Sequence, residues 1–323
     1  MGKVVILEGI GEAETLKIRQ LEDKQPVKNQ LLIKNHAIGI NYDDLLIRLG
    51  KKTINKFPII PGYEASGEIV AIGEEVKGFT IGDRVSYFSP SMGSYCETKL
   101  INEYYAVSLP EEISYKLSAA GYFKGMVAHM LATRVFLTNS GTAVLIHNAT
   151  GGVEHILAQW ANMRGAVVIG TVDSDEKKNI ALKFGCHKAL NYKTEDWPNE
   201  VLKITNGIGV SAVYDSLGVS IFEKSLDCLM EIGIMVHYNC LEGKVDAIRL
   251  SKLHKKSLFL TYPSVFHYKK NKMELILSAN EFFELLKQGK IKINSNSEYT
   301  LDNVQNAHKK LESGVSGSMI LLP

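Results

Sequence analysis

The chain has 323 residues, enough for two domains that each bury a core. Its 45% apolar content and near balance of 37 Lys and Arg against 35 Asp and Glu are typical of a globular protein. A net charge of +2 gives no basic footprint for nucleic acid, and no apolar run approaches the length that spans a bilayer. The N-terminal sequence lacks a secretory signal pattern, so we expect a cytoplasmic protein whose four cysteines are free thiols.

The first third of the chain predicts a β-rich domain. Short apolar strands punctuated by glycine are predicted at 3–8, 30–41, 68–72 and 84–87. Around residues 113–129 the pattern becomes helical. We therefore place a domain crossover near Phe123.

A glycine turn between an apolar strand and an amphipathic helix predicts a nucleotide-binding unit. The predicted elements are a strand at 143–146, a helix beginning near Val153, a strand at 167–171, a helix ending at Gly185 and a short strand ending at Tyr192. This order is the βαβαβ half of a doubly wound sheet. Gly151 and Gly152 let a ligand approach the main chain, and the unpaired N–H groups at the start of the next helix suit a pyrophosphate.

The parallel sheet is predicted to continue toward the C terminus. Further elements are predicted as a strand at 210–214, a helix at 221–230, strands at 233–237 and 257–261, a helix at 273–288, and a helix and strand within 307–323. The strand at 257–261 should lie at the outer edge, where an apolar strand promotes aggregation unless it is paired. Its partner is either a second copy of the chain or a covering segment of the same chain.

Several segments together carry a resemblance to a known family. They are GINYDDLLIRLG (39–50), PGYEASGEIVAIG (61–73), GDRVSY (82–87), FKGMVAH (123–129), the glycine turn, YDSLG (214–218), SLDCLMEIGIMV (225–236) and SGSMILLP (316–323). The chain resembles, nearly end to end, the zinc-free medium-chain dehydrogenase/reductases, in particular the bacterial NADPH-dependent quinone oxidoreductases. The resemblance implies an α/β protein with a Rossmann doubly wound parallel sheet at 123–267. It also implies a discontinuous, GroES-like β-rich catalytic domain at 1–122 and 268–323, and a homodimer joined at the edge strand.

The resemblance also implies an activity, which is hydride transfer from NADPH to a quinone. Asn41, Asp44 and Tyr95 would line the catalytic site. The implied cofactor-binding residues are Lys124, Thr150, Gly151, Gly152, Val153, Ser174, Lys177, Tyr192, Ser216 and Tyr238. A turn residue remains an alternative role for Asn41, as does packing for Tyr95.

No metal site is predicted. Zinc-dependent relatives use a cysteine in the early loop and a G-H-E motif, whereas this chain has Asn41 and Gly62-Tyr63-Glu64 at those places. A catalytic zinc needs three protein ligands, and the neighbouring residues do not offer them. Without a Lewis acid, an electron-poor acceptor such as a quinone or a conjugated carbonyl is favoured over an alcohol.

Two positions depart from the family pattern around the cofactor. By the resemblance, Lys177 and Tyr192 bind the 2′-phosphate and Ser174 adds a hydroxyl. Asp173 ends the second strand, where NAD enzymes carry a carboxylate for the ribose hydroxyls and NADP enzymes carry cations. Glu154 replaces the last glycine of the turn motif.

Two other functions stay open at the level of the sequence. An enoyl or 2-alkenal reductase would use the same hydride transfer on the same scaffold. A binding protein that kept the fold but lost efficient turnover is an alternative from a different class. His237, beside a strand end, is interpreted as structural in all three cases.

Overall fold

The computed structural model describes residues 2–22 and 24–323, and the contacts within the chain divide it into two compact units. The first unit consists of Met1–Lys124, Lys269–Gln288 and Ile293–Pro323, and the second consists of Gly125–Tyr268 and Gly289–Lys292. The domain boundaries expected from the sequence stay a prediction, because compactness does not show that either part folds alone.

Antiparallel strands dominate the first unit. Its elements before residue 125 are β1 (Gly2–Leu7), β2 (Leu16–Leu21), β3 (Gln30–Ile40), α1 (Tyr42–Arg48), β4 (Glu64–Ile72), β5 (Arg84–Phe88), β6 (Thr98–Asn102), β7 (Ala106–Ser108) and most of α2 (Tyr115–Met130). The long strand β3 pairs with both β4 and β6. β4 begins at Glu64 rather than at the predicted Glu68, because its first residues already pair with β5.

The second unit is built on a parallel sheet. After a π-helical turn at Leu131–Val135, its elements are β8 (Ala143–Ile146), α3 (Glu154–Met163), β9 (Val167–Val172), α4 (Glu176–Lys183), β10 (Lys188–Asn191), α5 (Trp197–Ile204), β11 (Val210–Asp215), α6 (Phe222–Cys228), β12 (Leu229–His237), α7 (Leu250–His254), β13 (Phe259–Thr261) and α8 (Val265–Tyr268). The described strands follow the order β10-β9-β8-β11-β12-β13, with every pair parallel. This doubly wound order confirms the predicted Rossmann fold, and its switch point lies between β8 and β11.

The helix predicted at 221–230 is wrong at its C-terminal end. α6 ends before Leu229, which pairs with Val210 as the first residue of β12. The register then shifts, and Ile232 has a positive φ of 61° in the irregular segment. The strand therefore starts earlier than its apolar pattern indicates.

The C-terminal segments complete the sheet of the first unit. They are α9 (Lys272–Lys287), β14 (Ser295–Thr300), α10 (Val304–Glu312) and β15 (Ser318–Leu322). β15 pairs antiparallel with β3 and parallel with β14, and the described strands run β14-β15-β3-β4-β5-β7, with β6 on β3. Throughout the described ranges, no helix combines the length and apolar character needed to cross a membrane.

Candidate active site and cofactor site

A buried carboxylate, Glu64, gathers three groups of the first unit. Its Oε1 accepts hydrogen bonds from Asn41 Nδ2 at 2.9 Å and from the Lys124 ammonium at 3.1 Å. Its Oε2 accepts one from the Phe123 N–H at 3.0 Å. Gly39 leaves the space for this arrangement, because a Cβ there would lie 2.3 Å from Glu64 Oε1. The partners are needed because an unpaired buried carboxylate is costly.

The first turn of α1 is fixed by a second buried carboxyl group, Asp44. Its Oδ2 accepts from the Asn41 N–H at 3.0 Å and from the Tyr95 hydroxyl at 3.1 Å, and its Oδ1 accepts from the Gly62 N–H at 3.0 Å. Burial raises the pKa of Asp44 to about 7. Tyr95 is fully buried, and its hydroxyl also lies 3.3 Å from His308 Nε2. The structure therefore brings the predicted residues Asn41, Asp44 and Tyr95 together, with Tyr95 held inside the fold.

The donor set of this cluster differs from that of a zinc site. Asn41 donates its amide to Glu64, and the Glu64 carboxylate is neutralised by Lys124. Zinc prefers Cys, neutral His and free carboxylate ligands in groups of three or four. Within residues 2–22 and 24–323, no group of three or more His, Cys, Asp or Glu side chains is placed to hold a metal ion.

The glycine turn of the second unit fits a pyrophosphate. It follows β8 at the switch point of the sheet, where ligands bind in open α/β folds. The Gly151 N–H donates to the Asn148 carbonyl at 2.7 Å, and a Cβ at Gly151 would lie 2.2 Å from Glu154 Oε2. Thr150 is buried, and Gly152 and Val153 are half-buried at the start of α3. The first-turn N–H groups of α3 suit a phosphate, whereas the space beside Gly151 is filled by the Glu154 carboxyl group.

The side chain of Glu154 is turned into the protein. It is 4% exposed, and its Oε1 accepts a hydrogen bond from the Tyr238 hydroxyl at 2.8 Å. The Ser216 side chain contacts the same pair, and burial raises the pKa of Glu154. Ser216 follows β11 and Tyr238 follows β12, so Glu154 connects the start of α3 to the carboxyl ends of two strands.

His237 belongs to a separate buried pair. Its Nδ1 lies 2.8 Å from Asp215 Oδ2, and Asp215 Oδ1 accepts from the N–H groups of Leu217 and Gly218 at 2.8 and 2.9 Å. The ring also packs edge-on against Phe222. These contacts support the structural interpretation of His237.

Each side chain expected at the 2′-phosphate has a carboxylate partner. The Lys177 ammonium lies 2.8 Å from Asp173 Oδ1, and the Tyr192 hydroxyl donates to Glu242 Oε1 at 2.6 Å. Ser174 hydrogen-bonds with the Glu176 side chain. The predicted donors are thus present, but negatively charged groups already occupy them.

Two residues of these clusters were missed as site residues. Glu64 was noted only as part of a zinc-motif comparison, although an acid at the start of an apolar strand is a signal that it is held inside. Glu242 gave no signal, because its partner Tyr192 is 50 residues away in the chain.

Comparison with known proteins defines the class. Residues 27–137 match the family profile described as the alcohol dehydrogenase GroES-like domain, and residues 152–278 match the zinc-binding dehydrogenase profile. A GroES-like domain combined with the doubly wound sheet is the combination that defines the medium-chain dehydrogenase/reductases. The expected α/β fold with these two parts is confirmed.

Full-length relatives define the family within that class. Quinone oxidoreductase 1 of Escherichia coli is 37% identical over 317 residues, 97% of each chain. The crystal structure of Escherichia coli quinone oxidoreductase complexed with NADPH has a TM-score of 0.97 at 36% identity, covering 99% of this chain and 100% of that one. A 2-haloacrylate reductase of a Burkholderia species is 35% identical over 92% of each chain. The chain belongs to the zinc-free quinone oxidoreductase family, which confirms the resemblance.

Proposed function

We propose that this protein reduces quinones with NADPH and without a metal ion. The observation that carries the proposal is the full-length similarity to named quinone oxidoreductases, one of them complexed with NADPH. The glycine turn supports it from the structure, because it leads from β8 into the first turn of α3 at the switch point of the sheet.

The proposed cofactor site uses the main chain for the phosphates. Its residues are Lys124, Thr150, Gly151, Gly152, Val153, Ser174, Lys177, Tyr192, Ser216 and Tyr238. When bound, the reduced nicotinamide supplies a hydride. The chain contributes placement of the two reactants and exclusion of water, which suffices for an electron-poor acceptor.

Asn41 is proposed to contact the acceptor, and Asp44 and Tyr95 are proposed to position Asn41. The support is that the Tyr95 hydroxyl and the Asn41 N–H both donate to the buried Asp44 Oδ2. We expect Asn41→Ala to lower kcat by about 10- to 100-fold, the range that misplacement of a reacting group produces. Asn139→Ala, in an exposed loop, is the control and should leave kcat unchanged.

The test of the function is oxidation of NADPH by a panel of quinones, followed by the loss of its near-ultraviolet absorbance. Turnover with at least one quinone supports the proposal. If neither NADPH nor NADH is oxidised with any quinone of the panel, the quinone assignment is wrong.

A second candidate is reduction of a conjugated C=C bond, as in an enoyl or 2-alkenal reductase. The similarity to the 2-haloacrylate reductase favours it. Comparing kcat/KM for a quinone, a 2-alkenal and a 2-haloacrylate separates the two functions. A higher value for either alkene would replace the quinone as the proposed acceptor.

A homodimer joined through β13 is also proposed. β13 lies at the edge of its sheet, and Phe259 and Tyr262 are 58% and 65% exposed there. An exposed apolar edge strand invites pairing with another copy. Light scattering should give twice the 35.8 kDa chain mass, and Phe259→Lys should halve it. Val219→Lys, at a comparably exposed apolar residue, is the control, and a monomeric wild type would contradict the dimer.

A cytoplasmic location is proposed from the state of the thiols. Cys186, Cys228 and Cys240 are free thiols, and the first two are buried. Free buried thiols are typical of reducing compartments. Fractionation of cells that express the full chain would test the location, and recovery with the membranes would contradict it.

A further inference from the structure

The second unit holds both proposed 2′-phosphate ligands with carboxylates. The Lys177 ammonium lies 2.8 Å from one oxygen of Asp173 and 3.0 Å from the other. The Tyr192 hydroxyl donates to Glu242, which also accepts from the Ser220 hydroxyl. Both carboxylates are therefore oriented by contacts within the chain, before any cofactor arrives.

The position of Asp173 determines how its pairing with Lys177 affects the choice of cofactor. Asp173 directly follows β9, the second strand of the doubly wound unit, which is the place where a carboxylate accepts hydrogen bonds from a ribose diol. A phosphate monoester bound there carries a charge between about −1.5 and −2. Asp173 repels that charge and at the same time neutralises the nearest cation, Lys177.

The neighbouring cation on this helix, Lys178, does not restore a positive site. Lys178 pairs with Asp175 at 2.8 Å and with Glu195. A further cation is Lys193, whose ammonium lies 5.9 Å from the centre of the Tyr192 ring. The carboxylates around the proposed 2′-phosphate position thus balance or outnumber the lysines, which is unlike a site selected for phosphate.

We propose that Asp173 makes this protein a dual-cofactor enzyme, which binds NADH about as well as NADPH. The inference rests on the proposed function, since it concerns the cofactor of the same site. With NADH, the Asp173 carboxylate accepts from the free ribose 2′-hydroxyl, and Lys177 stays paired with it. With NADPH, Lys177 must leave Asp173 to reach the phosphate, so the phosphate adds little affinity.

Binding of both reduced cofactors to the full-length protein, measured by calorimetry, tests this directly. We expect the two dissociation constants to agree within about threefold. A preference for NADPH greater than about 30-fold would overturn the inference while leaving the proposed function intact. Binding of neither cofactor would instead remove the proposed function, and the inference with it.

Three variants identify the residue responsible. Asp173→Asn keeps the size of the side chain and should shift the affinity ratio toward NADPH by about tenfold or more. Glu242→Gln removes the negative charge beside the Tyr192 hydroxyl while keeping an acceptor for it, and should shift the affinity ratio toward NADPH by about threefold. Asp227→Asn, which removes the same charge at an exposed position of α6, is the matched control and should leave the ratio unchanged.

The outcomes separate a local effect from a general one. If Asp227→Asn shifts the ratio as much as Asp173→Asn, net charge sets the preference and the assignment to Asp173 is wrong. If Asp173→Asn shifts nothing while its thermal unfolding matches the wild type, Asp173 is outside the ribose site and the inference is likewise wrong.

Discussion

Two of the lysine–carboxylate pairs of this protein, Lys124–Glu64 and Lys177–Asp173, differ in their access to water. In the first unit, the Lys124 and Glu64 side chains are 6% and 2% exposed, and Asn41 and the Phe123 N–H complete the cluster. In the second unit, the Lys177 and Asp173 side chains are 22% and 33% exposed. A buried ion pair is part of the fold, because removing one partner leaves an uncompensated buried charge. A partly exposed ion pair exchanges partners at little cost. The first pair is therefore suited to fixing a site, and the second to responding to a ligand.

Removing one partner of the buried Lys124–Glu64 pair should cause the largest loss of stability. Glu64→Ala leaves the Lys124 ammonium buried and unpaired, so we expect the free energy of unfolding to fall by about 3 to 5 kcal/mol. Urea titration of the full-length protein measures it. Glu68→Ala, in the half-buried part of the same strand, should cost less than about 1 kcal/mol.

A double variant sharpens this comparison. Glu64→Gln combined with Lys124→Met removes both charges and should recover most of the lost stability, because the cost lies in an uncompensated charge. A loss below about 1 kcal/mol for Glu64→Ala would mean that water reaches Lys124, and the contrast between the two pairs would disappear.

The second largest effect should be a pH dependence that originates at Asp44. Burial raises the pKa of its carboxyl to about 7, so the folded protein keeps a proton that the unfolded chain has already released. This contribution to stability is present at low pH and is lost as the pH rises through about 7. We expect it to amount to about 2 to 3 kcal/mol between pH 5 and pH 8.

Urea titrations across that pH range measure the Asp44 contribution. Asp44→Asn should flatten the profile, since the group no longer titrates. Asp43→Asn is the matched control, because the neighbouring carboxylate is partly exposed and bound to Lys52. An unchanged slope in Asp44→Asn would show that this carboxyl is ionised throughout.

Crowding the buried Glu154 carboxyl group tests whether the second unit also depends on a buried group. Gly151→Ala would place a Cβ 2.2 Å from Glu154 Oε2, so the carboxyl must move away from Tyr238. We expect a loss of about 1 to 3 kcal/mol in unfolding free energy, the usual cost of overpacking, together with weaker cofactor binding.

Rescue distinguishes crowding from backbone strain at the turn. Adding Glu154→Ala removes the crowding atom and should restore part of the stability lost in Gly151→Ala. Gly9→Ala, where nothing lies within 4 Å of the added Cβ, serves as the neutral control. Failure of the rescue would mean that Asn148 Nδ2, 2.7 Å from the added Cβ, or the backbone limits the turn, and not Glu154.

The smallest loss of stability should come from breaking the partly exposed Lys177–Asp173 pair. Lys177→Ala removes a partly exposed i,i+4 ion pair and should change the unfolding free energy by less than about 1 kcal/mol. Raising the salt concentration should reduce even this difference. A loss comparable to that of Glu64→Ala would show that Asp173 depends on Lys177 for folding and is not available to a ligand.

The sequence allowed the fold to be predicted where local patterns carry it. The strand, glycine turn and helix from β8 to α3 lie within a short stretch, and the apolar periodicity marks their ends. The prediction failed at the start of β12, where Leu229 pairs with β11 although the sequence pattern is helical. Ile232, in the irregular segment that follows, has a positive φ. Strand pairing between residues distant in the chain produces no periodic pattern in the sequence.

The site was less predictable because its contacts join distant parts of the chain. Asn41 and Lys124 reach Glu64 across 23 and 60 residues, so no spacing rule identifies the cluster. The family resemblance supplied Asn41 and Lys124 but no role for Glu64. For Tyr192 it supplied a phosphate ligand, whereas the hydroxyl bonds to Glu242 in the structure.

The hydrogen bond between Tyr238 and Glu154 has a consequence for redesign. Tyr238 is one of the proposed cofactor-binding residues, and Glu154 is the first residue of α3, directly after the glycine turn. Replacing Tyr238 by a smaller residue, to admit a bulkier acceptor, would leave the buried Glu154 carboxyl group without its hydrogen-bond donor. It would also weaken the binding of the phosphates. A library aimed at new acceptors should therefore vary positions 154 and 238 jointly, since either change made alone would compromise how firmly the coenzyme is held.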